Sequence, residues 1–241
     1  MPLIRRRVVV ALAGIGLAYL ALLGMGALIM AWPSLTATEL DWDVALASWT
    51  LPVGNDAAIL NDFWFSTRGA PYLSIPLVLL GAALQRPWRG GDLLHDGATA
   101  LARAAVLVIL PWLLAHSLKS VVGRDRPELG AFAHAGVLPQ PSSGSFPSGH
   151  TAIAASLCLM LVLCTSPARR RIPVLLAALV IAWTSWSRMV LGMHYVTDTL
   201  GSALFVPVVA VCLDRLLPHV HDHAPRGLGS RTEDPPTHVG S

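Results

Sequence analysis

The chain has 241 residues, of which 54% are hydrophobic and only 13% are charged. Soluble globular domains carry about 25% charged residues, so this composition excludes an ordinary soluble domain and indicates an integral membrane protein. The formal net charge is +3, but the arginines lie at the ends of apolar segments and not on one polar face, which argues against nucleic-acid binding.

Six apolar runs follow one another along the chain, and crossing a hydrocarbon core of about 30 Å takes roughly 20 such residues. They cover residues 8–32, 70–84, 98–117, 149–164, 172–190 and 195–217. The first run follows three arginines like a secretory signal, but it is longer than a signal core of about 7 to 15 residues, so we expect a retained helix. We therefore predict an all-α fold, a bundle of six transmembrane helices.

The segments outside these runs also carry predictions. Residues 33–69 place Trp42, Trp49 and Trp64 among acidic and small residues, which predicts interfacial helices between the first and second spans. The loop 128–146 is rich in Gly, Pro and Ser and is expected to cover a site. We expect one membrane domain, residues 1–217, and a disordered tail, residues 218–241, whose histidines are not expected to form a functional metal site.

Arginine bias sets the orientation, because cytoplasmic loops near helix ends carry an excess of Lys and Arg. If the amino terminus lies in the cytoplasm, few basic residues are placed on the extracytoplasmic side. These are Arg68, Lys119, Arg124, Arg126 and Arg188. Arg103, near a helix end, is expected to snorkel. We expect a multi-pass protein of a bacterial cytoplasmic membrane with both termini in the cytoplasm.

Three polar segments interrupt the apolar pattern at the outer ends of predicted helices. They are KSVVGRDRP at 119–127, PSGH at 147–150, and the stretch 187–198. Lys119, Arg126 and Arg188 would repel one another at a membrane surface without an anion between them. Taken singly, each cation is more typical of a snorkelling residue, but a phosphoryl group is the natural ligand of the set.

The second and third segments add groups that suit phosphate chemistry. Ser148 is a good N-cap and Gly149 allows close backbone approach, so an anion is expected at this helix start, although the pattern also fits an ordinary cap. His194 and Asp198 are four residues apart, which on a helix puts a base beside its orienting carboxylate. His150 is then available as a general acid. Asp198 would raise the pKa of His194 and the cations would lower it, and the sequence leaves the balance open.

Together the segments resemble the signature of the type 2 phosphatidic acid phosphatase (PAP2) superfamily, which includes lipid phosphate phosphatases and bacterial nonspecific acid phosphatases. The matching positions are Lys119, Arg126, Pro127, Pro147, Ser148, Gly149, His150, Ser187, Arg188, His194 and Asp198. The resemblance implies that His194 attacks phosphorus, Asp198 supports it and His150 protonates the leaving group. It also implies that the phosphate oxygens are held by Lys119, Arg126, Ser148, the Gly149 backbone and Arg188, without a metal or other cofactor.

This resemblance favours hydrolysis of a lipid phosphate through a phosphohistidine at an extracytoplasmic site. The candidate substrates are polyprenyl diphosphate, phosphatidate and phosphatidylglycerol phosphate. The sequence leaves open a lipid-linked phosphotransferase with the same intermediate, a non-catalytic lipid-phosphate binder and, more distantly, a vanadate-dependent haloperoxidase. It does not assign an oligomeric state.

Overall fold

A computed structural model describes residues 2–50, 52–66, 68–85, 93–132, 138 and 141–218. This part of the chain is all-helical, and the predicted tail lies outside it except for Pro218. Eight α-helices follow one another in these residues. They are α1 (Pro2–Met30), α2 (Pro33–Trp49), α3 (Pro52–Phe65), α4 (Ala70–Leu84), α5 (Leu93–Val122), α6 (Gly149–Cys164), α7 (Arg171–Val190) and α8 (Val196–Leu216).

Four of the described helices are long and apolar enough to cross a membrane: α1, α5, α7 and α8. The pair α3 and α4 passes the same criterion together, with a bend of 69° between the two helices. The α6 helix has 16 residues and a length of about 24 Å, short of a hydrocarbon core of about 30 Å. The helices predicted from all six apolar runs are present, whereas a count of six spans stays a prediction.

The α6 helix is the centre of the bundle, because α4, α5, α7 and α8 all pack against it. Eleven of its 16 residues are buried, so protein surrounds this helix where lipid would surround a peripheral span. The core around it is formed by fully buried side chains from several helices, among them Leu107, Leu118, Met160 and Val206, and by Phe146 from the loop before α6. A helix held in this way presents its first turn at a fixed position.

Two glycines turn the chain within the first and third polar segments. Gly123 and Gly192 both have φ of +64°, the left-handed region that side chains other than glycine rarely adopt. Their amides bond to Lys119 O at 3.0 Å and to Met189 O at 2.9 Å, which ends α5 and α7 as glycine C-caps do. These two turns direct the residues after α5 and α7 across the same end of the bundle.

Arg103 does not snorkel to the surface as predicted from the sequence. It is 3% exposed and forms an ion pair with Asp214, while its Nη1 donates to Gln85 Oε1 at 2.6 Å. A carboxylate on α8 and an amide after α4 are close enough to satisfy the guanidinium inside the bundle, so it has no need of the interface.

Candidate active site

The three polar segments come together at one end of the bundle. A cavity of about 830 Å³ lies there, and six of the predicted site residues line it. These are Lys119, Arg126, Gly149, His150, Arg188 and His194. The other two predicted residues, Ser148 and Asp198, are fully buried and contact the groups that form the wall.

The turn after α7 places His194. Gly192 reverses the chain, and the amides of Met193 and His194 both donate to Arg188 O, at 3.0 Å and 3.3 Å. A Cβ at Gly192 would lie 2.9 Å from the ring of Phe132, so space as well as backbone conformation requires glycine there. The imidazole of His194 is thereby held 2% exposed at the cavity wall.

His194 and Asp198 meet, but not as neighbours on one helix face. His194 precedes α8, because Tyr195 is the N-cap and the helix begins at Val196. Asp198 folds back to accept from the Tyr195 amide at 2.9 Å, and its Oδ2 lies 3.4 Å from His194 Nδ1. The carboxylate therefore caps the helix and faces the imidazole at the same time.

The opposite ring nitrogen of His194 faces the cations. Nε2 lies 3.4 Å from Arg126 Nη1. Burial, and then the positive charges of Lys119, Arg126 and Arg188, hold the pKa of His194 well below its usual value. This answers the question that the sequence left open: burial and the cations outweigh Asp198. The ring is neutral at neutral pH, and the tautomer with its proton on Nδ1, the nitrogen that faces Asp198, has its lone pair on Nε2.

Backbone carbonyls hold the cations in position. Lys119 Nζ donates to Gly144 O at 2.9 Å, and Arg126 Nη1 donates to Met193 O at 2.7 Å. Burial and the charge of Arg188 lower the pKa of Arg126 to about 10, so the guanidinium remains charged at neutral pH. The result is a group of buried and half-buried cations on one side of the cavity, which favours an anion there.

The start of α6 supplies a further anion-binding element. Ser148 is its N-cap, as predicted, and its Oγ accepts from the Thr151 amide at 3.4 Å. The Ser148 amide donates to Asp198 O at 3.0 Å, and Ser202 Oγ donates to Ser148 O at 2.8 Å. These bonds attach the turn to α8, so the helix N-terminus, where backbone N–H groups attract anions, is fixed relative to Asp198.

Arg124 and Glu39 form a buried layer behind Asp198 that the sequence did not predict. Arg124 Nη1 donates to Asp198 Oδ1 at 2.7 Å, and its Nη2 donates to Glu39 Oε2 at 2.8 Å. The guanidinium also lies 4.0 Å over the Tyr195 ring, and Glu39 Oε1 accepts from the Thr197 amide at 2.7 Å. The sequence contained one indication of this role: Arg124 is an extracytoplasmic arginine in the predicted topology, and it is not a signature position.

Asp62 is the second unpredicted member of the site. Its carboxylate forms an ion pair with Arg188, and its Oδ1 lies 3.2 Å from His150 Nε2. It comes from α3, within the segment predicted to be interfacial. Nothing in the local sequence distinguishes Asp62 from Asp41, Asp43 or Asp56, because only the packing of α3 brings it to the cavity.

The cavity continues from the polar groups into an apolar groove between α4 and α5. Its apolar lining includes Ile75, Val78, Leu79, Val108, Ile109 and Trp112. A surface that is charged at one end and apolar along its length complements a molecule with an anionic head and a hydrocarbon chain.

Comparison with known proteins identifies the family of this chain. The sequence model of the PAP2 superfamily matches residues 100–221, which include every signature position found above. The chain belongs to the PAP2 superfamily. It is therefore a phosphatase of the PAP2 type.

A solved structure with a similar fold is a transmembrane PAP2-type phosphatidylglycerolphosphate phosphatase from Bacillus subtilis. It superposes with a TM-score of 0.63 at 22% sequence identity, over 83% of this chain and 93% of that one. At this identity the likeness shows a shared fold, and it agrees with the apolar helices in making this PAP2 chain a membrane protein. No curated protein matches the chain.

Proposed function

We propose that this PAP2 phosphatase hydrolyses a phosphomonoester or diphosphate of a membrane lipid. The observation that carries the proposal is the continuity of one cavity, in which the cationic pocket around His194 opens into the groove between α4 and α5. A soluble phosphate ester would have no use for the groove. Polyprenyl diphosphate, phosphatidate and phosphatidylglycerol phosphate all have the required head and chain.

In the proposed reaction, Nε2 of neutral His194 attacks phosphorus while Asp198 faces Nδ1 and stabilises the charge that the ring acquires. His150 protonates the departing oxygen, and water then hydrolyses the phosphohistidine. The phosphate oxygens would be held by Lys119, Arg126, Ser148, the Gly149 backbone and Arg188. Donors placed around the phosphorus in this way stabilise the charge of the transition state.

We further propose that the 1–217 domain crosses the bacterial cytoplasmic membrane six times and that residues 218–241 form a cytoplasmic tail. The bent pair α3 and α4 and the short α6 would supply the two spans beyond the four long helices. The arginine bias then puts the active site on the extracytoplasmic face, where a lipid headgroup in the outer leaflet reaches the cations.

Phosphate release from the three candidate lipids by purified protein in detergent with EDTA tests the function. We expect release, and we expect His194→Ala to abolish it, because no other group replaces the nucleophile. His95→Ala is the matched control, since His95 is an exposed histidine at the start of α5. Absence of release from every lipid, a requirement for metal, or an active His194→Ala variant would contradict the proposal.

Transfer to another acceptor is the second candidate function. A polar cavity of about 610 Å³ shares Lys119 and Arg126 with the first and includes Ser120, Gly123 and Ser142 in its lining. His194 is not in its lining, so water or another hydroxyl compound in this cavity would reach the phosphoenzyme past Lys119 and Arg126. Labelled lipid donor incubated with lipid or sugar acceptors separates the two: label found only in free phosphate excludes transfer.

A further inference from the structure

A carboxylate in a phosphate-binding pocket requires an explanation, because it repels the substrate. Asp62 is 18% exposed and contacts two residues with proposed roles in the reaction, Arg188 and His150. It lies outside the stretch 100–221 that matches the superfamily, so family membership assigns it no role. Its position therefore has to be explained from its own contacts.

The packing of α3 on α7 fixes Asp62 in place. Asn61 Nδ2 donates to Thr184 Oγ1 at 3.2 Å, and Ser187 Oγ donates to Ala58 O at 2.9 Å. Both bonds are buried and lie within one helical turn of Asp62. The carboxylate is thus presented to the pocket by a docked helix and not by a loop.

The contact between Asp62 and His150 affects how readily the imidazole of His150 is protonated. Lys119 from α5 and Arg188 from α7 face His150 with positive charge, while Asp62 from α3 faces it with negative charge. The fourth titratable neighbour, His194, is neutral. Burial of the ring first, and then the cations, disfavour an imidazolium at His150 and outweigh Asp62, yet a general acid has to hold a proton before the leaving group departs. Of these neighbours, Asp62 is the one that favours the protonated ring. The negative charge of a bound phosphate would act in the same direction as Asp62.

We propose that Asp62 is the carboxylate partner of His150 and favours the protonated form of its imidazole for donation to the leaving oxygen. This inference rests on the proposed function. The site would then contain two histidine–carboxylate pairs with opposite tasks: Asp198 supports the nucleophile His194, and Asp62 supports the acid His150. Because Asp62 acts through His150, it is a positioning residue.

The reaction balances in two steps. In the first, His194 Nε2 forms a bond to phosphorus, the bond from phosphorus to the leaving oxygen breaks, and that oxygen takes a proton from the His150 nitrogen that does not face Asp62. In the second, water attacks phosphorus and gives a proton to the now neutral His150. The phosphorus–nitrogen bond then breaks, which releases phosphate and restores the imidazolium beside Asp62.

The test compares Asp62→Asn with wild type on two probes. One is the lipid of the panel above that the wild type hydrolyses fastest, and the other is 4-decyl-2-nitrophenyl phosphate, whose leaving group departs without a proton. General acid catalysis contributes about 100-fold or more, so we expect kcat/KM to fall by about that factor on the lipid and by only about 3-fold on the aryl ester. On the lipid, the alkaline limb of the kcat/KM profile should move to lower pH, because His150 loses its proton more easily without the carboxylate.

Two further variants complete the test. Asp56→Asn removes an exposed acid from the same helix and should leave both rates and the alkaline limb unchanged. Asp62→Glu keeps a carboxylate at this position, so the alkaline limb of its kcat/KM profile should lie close to that of the wild type. This variant can also be assayed if Asp62→Asn proves too unstable. Equal losses on both probes with an unmoved limb, or an Asp62→Glu variant that does not restore it, would overturn the inference and leave Asp62 as a counterion of Arg188. Absence of wild-type release from every lipid would instead contradict the proposed function.

Discussion

Arg124 lies between two buried carboxylates, those of Glu39 and Asp198, and is itself 3% exposed. Arg124→Met would leave both carboxylates without their cation. Removing one partner of a buried pair costs about 3 to 5 kcal/mol, so we expect a loss of that order and a large loss of activity, because Asp198 would no longer be held against His194. Thermal unfolding in detergent and phosphate release measure the two effects.

Glu39→Gln is the matched comparison for this prediction. It leaves Arg124 on Asp198 and keeps an acceptor for the Thr197 amide, so the expected loss is smaller, about 1 to 2 kcal/mol. Equal unfolding temperatures for the two variants would contradict the assignment of Arg124 as the central cation of this layer.

The lowered pKa of His194 predicts the pH dependence of the reaction. Burial and the cations keep the ring neutral below its ordinary pKa of about 6.5, so activity should persist into mildly acidic solution. Arg126→Gln removes one of these cations, which eases protonation of the ring, and the acid limb of kcat/KM should move to higher pH. Loss of one phosphate donor should also reduce kcat/KM by about 100-fold or more.

A profile whose acid limb stays in place, or moves to lower pH, in Arg126→Gln would contradict this account. Arg68→Gln is a useful comparison, because Arg68 lines the same cavity but is not among the charges that lower the pKa of His194. It should leave the limb unchanged.

The sequence identified the residues that carry the signature but not those that support them. Lys119, His150 and His194 stand at fixed spacings within polar segments, which is a local pattern. Glu39 and Asp62 lie in a segment with several other acids, and their importance depends on contacts with residues 85 and 126 positions away. A single sequence contains no record of such distant contacts. The predicted roles of the signature residues remain proposals.

At the scale of helices, the runs 70–84 and 149–164 coincide with α4 and α6. Ser148 marks the start of α6, and the apolar run itself marks its end. The run 98–117 was shorter than α5, Leu93–Val122, because polar residues extend the helix beyond the stretch that hydropathy can detect. Bounds for α2 and α3 were not predicted, since aromatic and acidic residues mixed together give no clear apolar period.

The groove between α4 and α5 predicts a dependence on chain length. Ala105 of α5 lines it, and Ala105→Trp would fill space that the proposed lipid chain occupies. We expect KM for a long-chain substrate to rise by about tenfold, equivalent to losing the burial of about two methylene groups, with little change for a dioctanoyl substrate. Ala178→Trp, at an exposed alanine of α7, is the control. Equal effects on both chain lengths would argue against a lipid chain in the groove.

For the whole molecule, the proposed topology predicts which residues a membrane-impermeant reagent can reach from outside the cell. Ser142 is exposed near the site, and Ser166 is exposed between α6 and α7. In a background with Cys158, Cys164 and Cys212 replaced by alanine, a membrane-impermeant maleimide should label Ser142→Cys in intact cells. It should label Ser166→Cys only after the membrane is broken. The reverse pattern would invert the topology.

The bonds that join Ser148 to Asp198 and Ser202 have a consequence for biosynthesis. The turn at the start of α6 bonds to α8, which the ribosome delivers later than α6 and α7. A nascent chain that ends before residue 198 has no anchored anion site and no partner for His194. The enzyme is thus expected to stay inert until α8 has been synthesised, so a product terminated before α8 would occupy the membrane without exposing its lipids to unregulated dephosphorylation.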